Sequence, residues 1–148
     1  MKAEINHTGN FTFESKIRDH VFFMDTQVSA GGDNKGPSPK ELMLAGIIGC
    51  TGMDIVSLLK KYQMVPTSLK ISGDAEPRSL HPRVFVGVSI LFEAVGDHVE
   101  ANKLLEAAHL SLTKFCGVSA MVSKVVPITY QVKLNNKLIG EGEAKFDI

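Results

Sequence analysis

Apolar and polar positions alternate through the first quarter of the chain. Ala3, Ile5 and His7 alternate with polar neighbours, and Phe11, Phe13, Ser15 and Ile17 alternate with Thr12, Glu14, Lys16 and Arg18. A period of two predicts half-buried strands, with Thr8-Gly9-Asn10 as the turn between them. His20 to Asp25 (HVFFMD) predicts a third strand. Alternation then stops, because Ser29 to Pro39 (SAGGDNKGPSP) holds three glycines and two prolines and reads as a loop.

The loop ends in a helix start. Ser38 is placed to cap, Pro39 suits the first helical position, and Glu41 three residues after Ser38 completes a capping box. The pattern predicts a helix from Pro39 to Tyr62, with Pro66 soon after. Its first half, ELMLAGIIGC, has no polar stripe, which predicts burial on every side. Gly46, Gly49 and Gly52 recur at every third position. Each costs about 1 kcal/mol relative to alanine in a helix, so close approach of another backbone or a ligand is the expected gain. One small sheet leaves the far side of such a helix wet. A second subunit covering it is therefore expected, making a homodimer.

Ser68 to Glu76 and Arg83 to Val95 read as strands, joined by the proline-rich Pro77 to Pro82. Asp97-His98-Val99-Glu100 reads as a second capping box opening a helix from His98 to about Phe115. Gly117 breaks it, and Val118 to Val125 forms a short further helix stopped by Pro127. Ile128 to Leu134 alternates again, Asn135-Asn136 suits a hairpin turn, and Lys137 to Asp147 is the last strand. The order predicts an α+β fold with mostly antiparallel sheets around a long buried central helix. A single domain over residues 1–148 is expected.

Charge and composition narrow the partners. Lys plus Arg number 16 and Asp plus Glu number 16, so the net charge is zero. No basic excess points to nucleic acid or an anionic membrane. The start mixes charges with apolar residues too early for a signal peptide. The longest apolar run, Leu42 to Cys50, has nine residues, against about 20 for a bilayer span. A cytoplasmic protein is expected. The two cysteines, Cys50 and Cys116, lie 116 − 50 = 66 positions apart, outside any CxxC or Cys/His cluster, and the five histidines are scattered. Neither a metal nor another cofactor is expected.

Those cysteines are the candidate chemistry. Each can be a small buried hydrophobe. Alternatively, Cys50 is a nucleophilic thiolate. A free cysteine is only about 3% thiolate at pH 7, and a two-unit fall in pKa needs roughly 2.7 kcal/mol of preferential anion stabilisation. The dipole of its own helix fades within the first turn, so a cation is required, with Arg18, Arg78, Arg83 and the lysines as candidates. Cys116, beside Gly117 at a helix break, can be the resolving thiol that condenses with a sulfenic acid on Cys50. Glu41 is either the capping partner of Ser38 or a functional carboxylate.

GPSPKELMLAGIIGC (Gly36 to Cys50), followed by TGMDIVSLLKK, resembles the start of the central helix of the OsmC/Ohr family, and FCGVSAMVSKVVPITYQVKL (Phe115 to Leu134) resembles its second-cysteine segment. The resemblance covers nearly the whole chain and is nearest to the OsmC-like subgroup. It implies an intertwined homodimer with central helices and outer sheets, and a cysteine-based hydroperoxide reductase. Cys50 then attacks the peroxide, Cys116 closes a disulfide, and an external dithiol, in some members a lipoylated protein, reduces it. The chain departs from the family pattern at two places. Lys40 stands where the peroxidases carry glutamate, with Glu41 one residue later, and the Thr8-Gly9-Asn10 turn has no arginine. Lys40 or Arg18 is the expected substitute. The rival expectations are a non-catalytic protein binding a small apolar or thiol ligand at the dimer interface, and a redox sensor.

Overall fold

The structure, a computed structural model, describes residues Met1–Asp147. Their contacts divide the chain into two compact units, Met1–Met43 and Leu44 onward.

The first unit is a three-stranded antiparallel sheet in the order β1 (Glu4–Gly9), β2 (Thr12–Ile17), β3 (His20–Met24). The register sets Ile5 opposite Ser15 and Ser15 opposite Phe22, and His7 opposite Phe13 and Phe13 opposite Met24. The alternating apolar positions therefore share one face, as a period of two requires. Asn10 and Arg18 take positive φ in the two hairpin turns. The glycine-rich loop is organised around Asp25, which is 2% exposed. Its carboxylate accepts hydrogen bonds from Thr12 Oγ1 (3.0 Å) and from the backbone N–H groups of Thr26 (2.7 Å), Asp33 (3.2 Å) and Lys35 (3.1 Å). Burial alone raises the Asp25 pKa, but these four donors outweigh it and hold the group below its ordinary value. Gly32 and Gly36 are required by the close packing, since a Cβ on either would collide with the carbonyl of Thr26 or of Phe23.

The long helix, α1 (Pro39–Lys61), opens as its sequence predicts. Ser38 N–H donates to Glu41 Oε2 at 2.6 Å, and Glu41 N–H donates back to Ser38 Oγ at 3.4 Å. The Ser38 backbone donor, followed by its hydroxyl, lowers the Glu41 pKa.

The second unit is built on a four-stranded sheet in the order β4 (Ser68–Pro77), β5 (Phe85–Val95), β6 (Ile128–Leu134), β7 (Lys137–Glu143). Four of the five strand pairings among the described residues are antiparallel; β5 with β6 is parallel. That pairing follows from its connection, which carries α2 (Ala101–Leu110), a π-helical turn (Ser111–Phe115) and α3 (Gly117–Val122). Alternate residues Val88, Ile90, Phe92 and Ala94 of β5 and Ile128, Tyr130 and Val132 of β6 form the core with Ile47, Ile55 and Leu59 of α1 and Leu104, Ala107 and Ala108 of α2.

Four expectations change. The helix read from His98 starts at Ala101, because Glu100 at its cap makes no side-chain hydrogen bond while His98 Nε2 bonds Val65 O at 2.7 Å. Its far end, read as plain α-helix to Phe115, widens into the π turn. The last strand stops at Glu143. Finally, α1 is not buried on all sides within the chain. Only Ile47, Thr51, Ile55 and Leu59, a stripe at every fourth position, are buried, whereas Met53 is 78% exposed. The sheet of one chain has a single face to offer. The glycines divide the same way, because Gly52 meets Ile71 of β4 while Gly46 and Gly49 face open space. By length and composition α1 could cross a membrane, a description the core helix of a folded domain also meets.

Ile55 has no exposed surface. Ile55→Ala is expected to destabilise the protein by about 2–5 kcal/mol through lost burial and a residual cavity, read as a lower urea midpoint at unchanged slope.

Candidate functional site: two thiols and a carboxylate

Cys50 lies midway along α1, and four residues on, one helical turn away on the same face, stands Asp54. Asp54 is the single charged residue between Glu41 and Lys60. Cys116 approaches from the crossover. The π turn ends at Cys116, whose backbone turns to φ −71° and ψ 99° and whose N–H donates to Ser111 O at 2.9 Å. The thiol then caps α3, Sγ accepting from Ser119 N–H at 3.3 Å. At the start of the same turn the fully buried Ser111 donates its hydroxyl to Asp54 Oδ2 at 2.9 Å. A π turn thus positions both ends of the cluster, a role such wide turns often take at functional sites.

One ligating atom from each of Cys50, Asp54 and Cys116 lies within 4.8 Å of the other two. Both thiols are free. They are not equivalent, because Cys50 is half-buried and Cys116 is completely buried. Burial, reinforced by the adjacent Cys50, pushes the Cys116 thiol up to about 11, against the opposing hydrogen bonds from Ser119. Two sulfurs and one oxygen could also hold a thiophilic divalent ion. The sequence reading found no such set because its members come from a helix and a crossover far apart along the chain.

The structure brings together Cys50 and Cys116, the two cysteines the sequence singled out as candidates. Of the other expected residues, Arg18 lies in the β2–β3 turn, and Lys40 and Glu41 lie in the first turn of α1, ten and nine positions before Cys50 along the chain. Glu41 is engaged with Ser38. The cysteine cluster also holds a carboxylate, that of Asp54. Asp54 was missed, although an acid alone in an apolar helix at Cys-x-x-x-Asp spacing was the available signal. A groove of about 840 Å³ lies along the second sheet, lined by Asp74, Tyr130 and Glu141 among others, and includes neither cysteine. It carries none of this chemistry.

An α+β chain with two reduced thiols meeting beside a carboxylate defines a dithiol protein. A sequence profile described as "OsmC-like protein" matches residues 32–131, and the chain belongs to that family. It is 28% identical over 135 residues to protein YhfA of Escherichia coli (strain K12), covering 90% of this chain and 98% of that one. A hypothetical protein from Aquifex aeolicus VF5 superposes with a TM-score of 0.77 at 31% identity, covering 90% of this chain and 96% of that one. The organic hydroperoxide resistance protein OhrB of Bacillus subtilis shares the fold at a TM-score of 0.61 and 20% identity, covering 90% and 98% respectively.

The difference between the thiols is measurable. At pH 8 a thiol of pKa about 11 is roughly 0.1% thiolate, and Cys116 has no exposed surface. Iodoacetamide should therefore alkylate Cys50 first in the native protein, with Cys116 modified only on unfolding, as followed by peptide mass.

Proposed function

We propose that this protein is a cytoplasmic, thiol-dependent hydroperoxide reductase in which Cys50 is the attacking sulfur and Cys116 the resolving one. The observation that carries this reading is the convergence of the two sulfurs to within 4.8 Å from positions 66 residues apart. A disulfide needs about 2.05 Å between sulfurs, a span that thiol rotation and a small backbone shift cover. The asymmetry of the pair sets the roles. The half-buried Cys50 is open to a substrate, while Cys116 is sequestered and protonated. The Cys50 thiolate takes the terminal oxygen of an organic hydroperoxide, the alcohol leaves, and Cys50 becomes a sulfenic acid. Cys116 then displaces the hydroxyl, and an external dithiol, such as that of a lipoylated protein, returns the pair to thiols. The name of the Bacillus relative, an organic hydroperoxide resistance protein, fits this chemistry.

The working form in this proposal is a homodimer. Met53 is exposed in a shallow groove lined by Gly52, Met53, Val56, Ser57 and Lys60, and a Cβ at Gly46 or Gly49 would meet nothing within 4 Å. Such a face on the longest helix suits a second copy of the same helix, its glycines permitting close approach.

Two measurements test these statements. In stopped flow, cumene hydroperoxide and hydrogen peroxide should oxidise the wild type far faster than free cysteine, and Cys50→Ser should abolish the reaction; a wild-type rate no greater than that of free cysteine overturns the peroxidase reading. Met53→Glu, which places a charge on the open face, should convert a dimer into monomers by sedimentation. A wild type that sediments as a monomer overturns the assembly.

A further inference from the structure

We propose that Asp54 carries the proton during closure of the Cys50–Cys116 disulfide: its carboxylate accepts the proton of the Cys116 thiol and delivers it to the hydroxyl leaving Cys50. This assignment rests on the peroxidase reading above and deepens it.

The step balances within the chain. Cys50–SOH and Cys116–SH give Cys50–S–S–Cys116 and one water. The Cys116 S–H bond and the Cys50 S–O bond break, while an S–S bond and a water O–H bond form. The electron pair comes from the Cys116 sulfur, which is oxidised as the Cys50 sulfur is reduced. No outside reactant enters. The difficulty is one misplaced proton. Cys116 is fully buried and holds its proton, so it is a weak nucleophile. The hydroxyl of the sulfenic acid is a poor leaving group unless it departs as water. A base beside the one and an acid beside the other solves both problems.

Asp54 has that position. A carboxylate oxygen lies within 4.8 Å of both sulfurs, within reach through one water or a small closure of the site. Ser111 fixes the rotation of the group by donating to Oδ2, and Oδ1 has no hydrogen-bond partner among the described residues. Asp54 is the one acid on an otherwise apolar stretch of α1, and its hydrogen-bond partner among the described residues is a serine on the same π turn that ends at Cys116. The turn therefore orders the proton carrier and the resolving thiol together.

Asp54→Asn preserves the size of the side chain and an acceptor for Ser111 but cannot take a proton. After rapid mixing of the full-length protein with cumene hydroperoxide, the wild type should pass to disulfide with little trapped sulfenic acid. Asp54→Asn should close the disulfide about 100-fold more slowly, so that dimedone-reactive Cys50 sulfenic acid accumulates. Formate or acetate should speed closure in Asp54→Ala, a rescue that a purely structural carboxylate does not show. Closure at the wild-type rate in Asp54→Asn, or absence of rescue, overturns the proposal. Should Asp54→Asn fail to fold, Asp54→Glu, which keeps a carboxylate, keeps the test open: closure within about tenfold of the wild-type rate supports the assignment, and closure as slow as in Asp54→Ala opposes it. Diamide separates this proposal from the reading beneath it, since it drives closure without peroxide. A wild type inert to hydroperoxide whose diamide closure is still slowed by Asp54→Asn loses the peroxidase reading and keeps the proton carrier. Unchanged diamide closure overturns the carrier whatever the peroxide result.

Discussion

The hydrogen bond from Ser111 to Asp54 is the constraint on which the site depends. It ties the middle of the long helix to the π turn of the crossover, and that turn delivers Cys116 to the neighbourhood of Cys50. Without it the turn would have one polar anchor fewer, and the fully buried Ser111 hydroxyl would lack its partner, at a cost of roughly 1–3 kcal/mol. The parallel β5–β6 pairing serves the same end. A parallel pair demands a long crossover, and the crossover is the segment that carries the second thiol across the sheet to α1.

Burial makes the two sulfurs unequal. Two thiols of equal environment would compete for the same proton and the same substrate. Here one lies partly open on a helix face, and the other is enclosed at a helix cap where loss of its proton is disfavoured. A pair of this kind suits sequential chemistry, in which the first sulfur meets the oxidant and the second waits behind it. A carboxylate stands beside both sulfurs, within 4.8 Å of each.

The long helix answers two demands at once. Its stripe of Ile47, Thr51, Ile55 and Leu59 fills the core of its own unit, and the opposite side remains apolar and rich in glycine. In the proposed dimer a second copy of the helix covers that side.

Much of this was legible in the residues themselves. Period-two alternation located the strands, and the Ser38–Glu41 box and Pro39 located the start of α1, because these signals act between residues a few positions apart. The resemblance carried by Gly36 to Cys50 and Phe115 to Leu134 pointed to the family and to both cysteines. The false capping box at Asp97–Glu100 and the unforeseen π turn mark the limit of local rules: His98 spends its polar ring on the Val65 carbonyl, a partner 33 residues away, and the widened turn is anchored at Ser111 by Asp54, 57 residues distant. Local chemistry, then, determined the elements and singled out the two cysteines. Only the tertiary structure decided that those sulfurs meet, that a carboxylate meets them, and that one thiol is shut from water, because proximity and desolvation arise between segments whose separation along the chain says nothing about their distance in space.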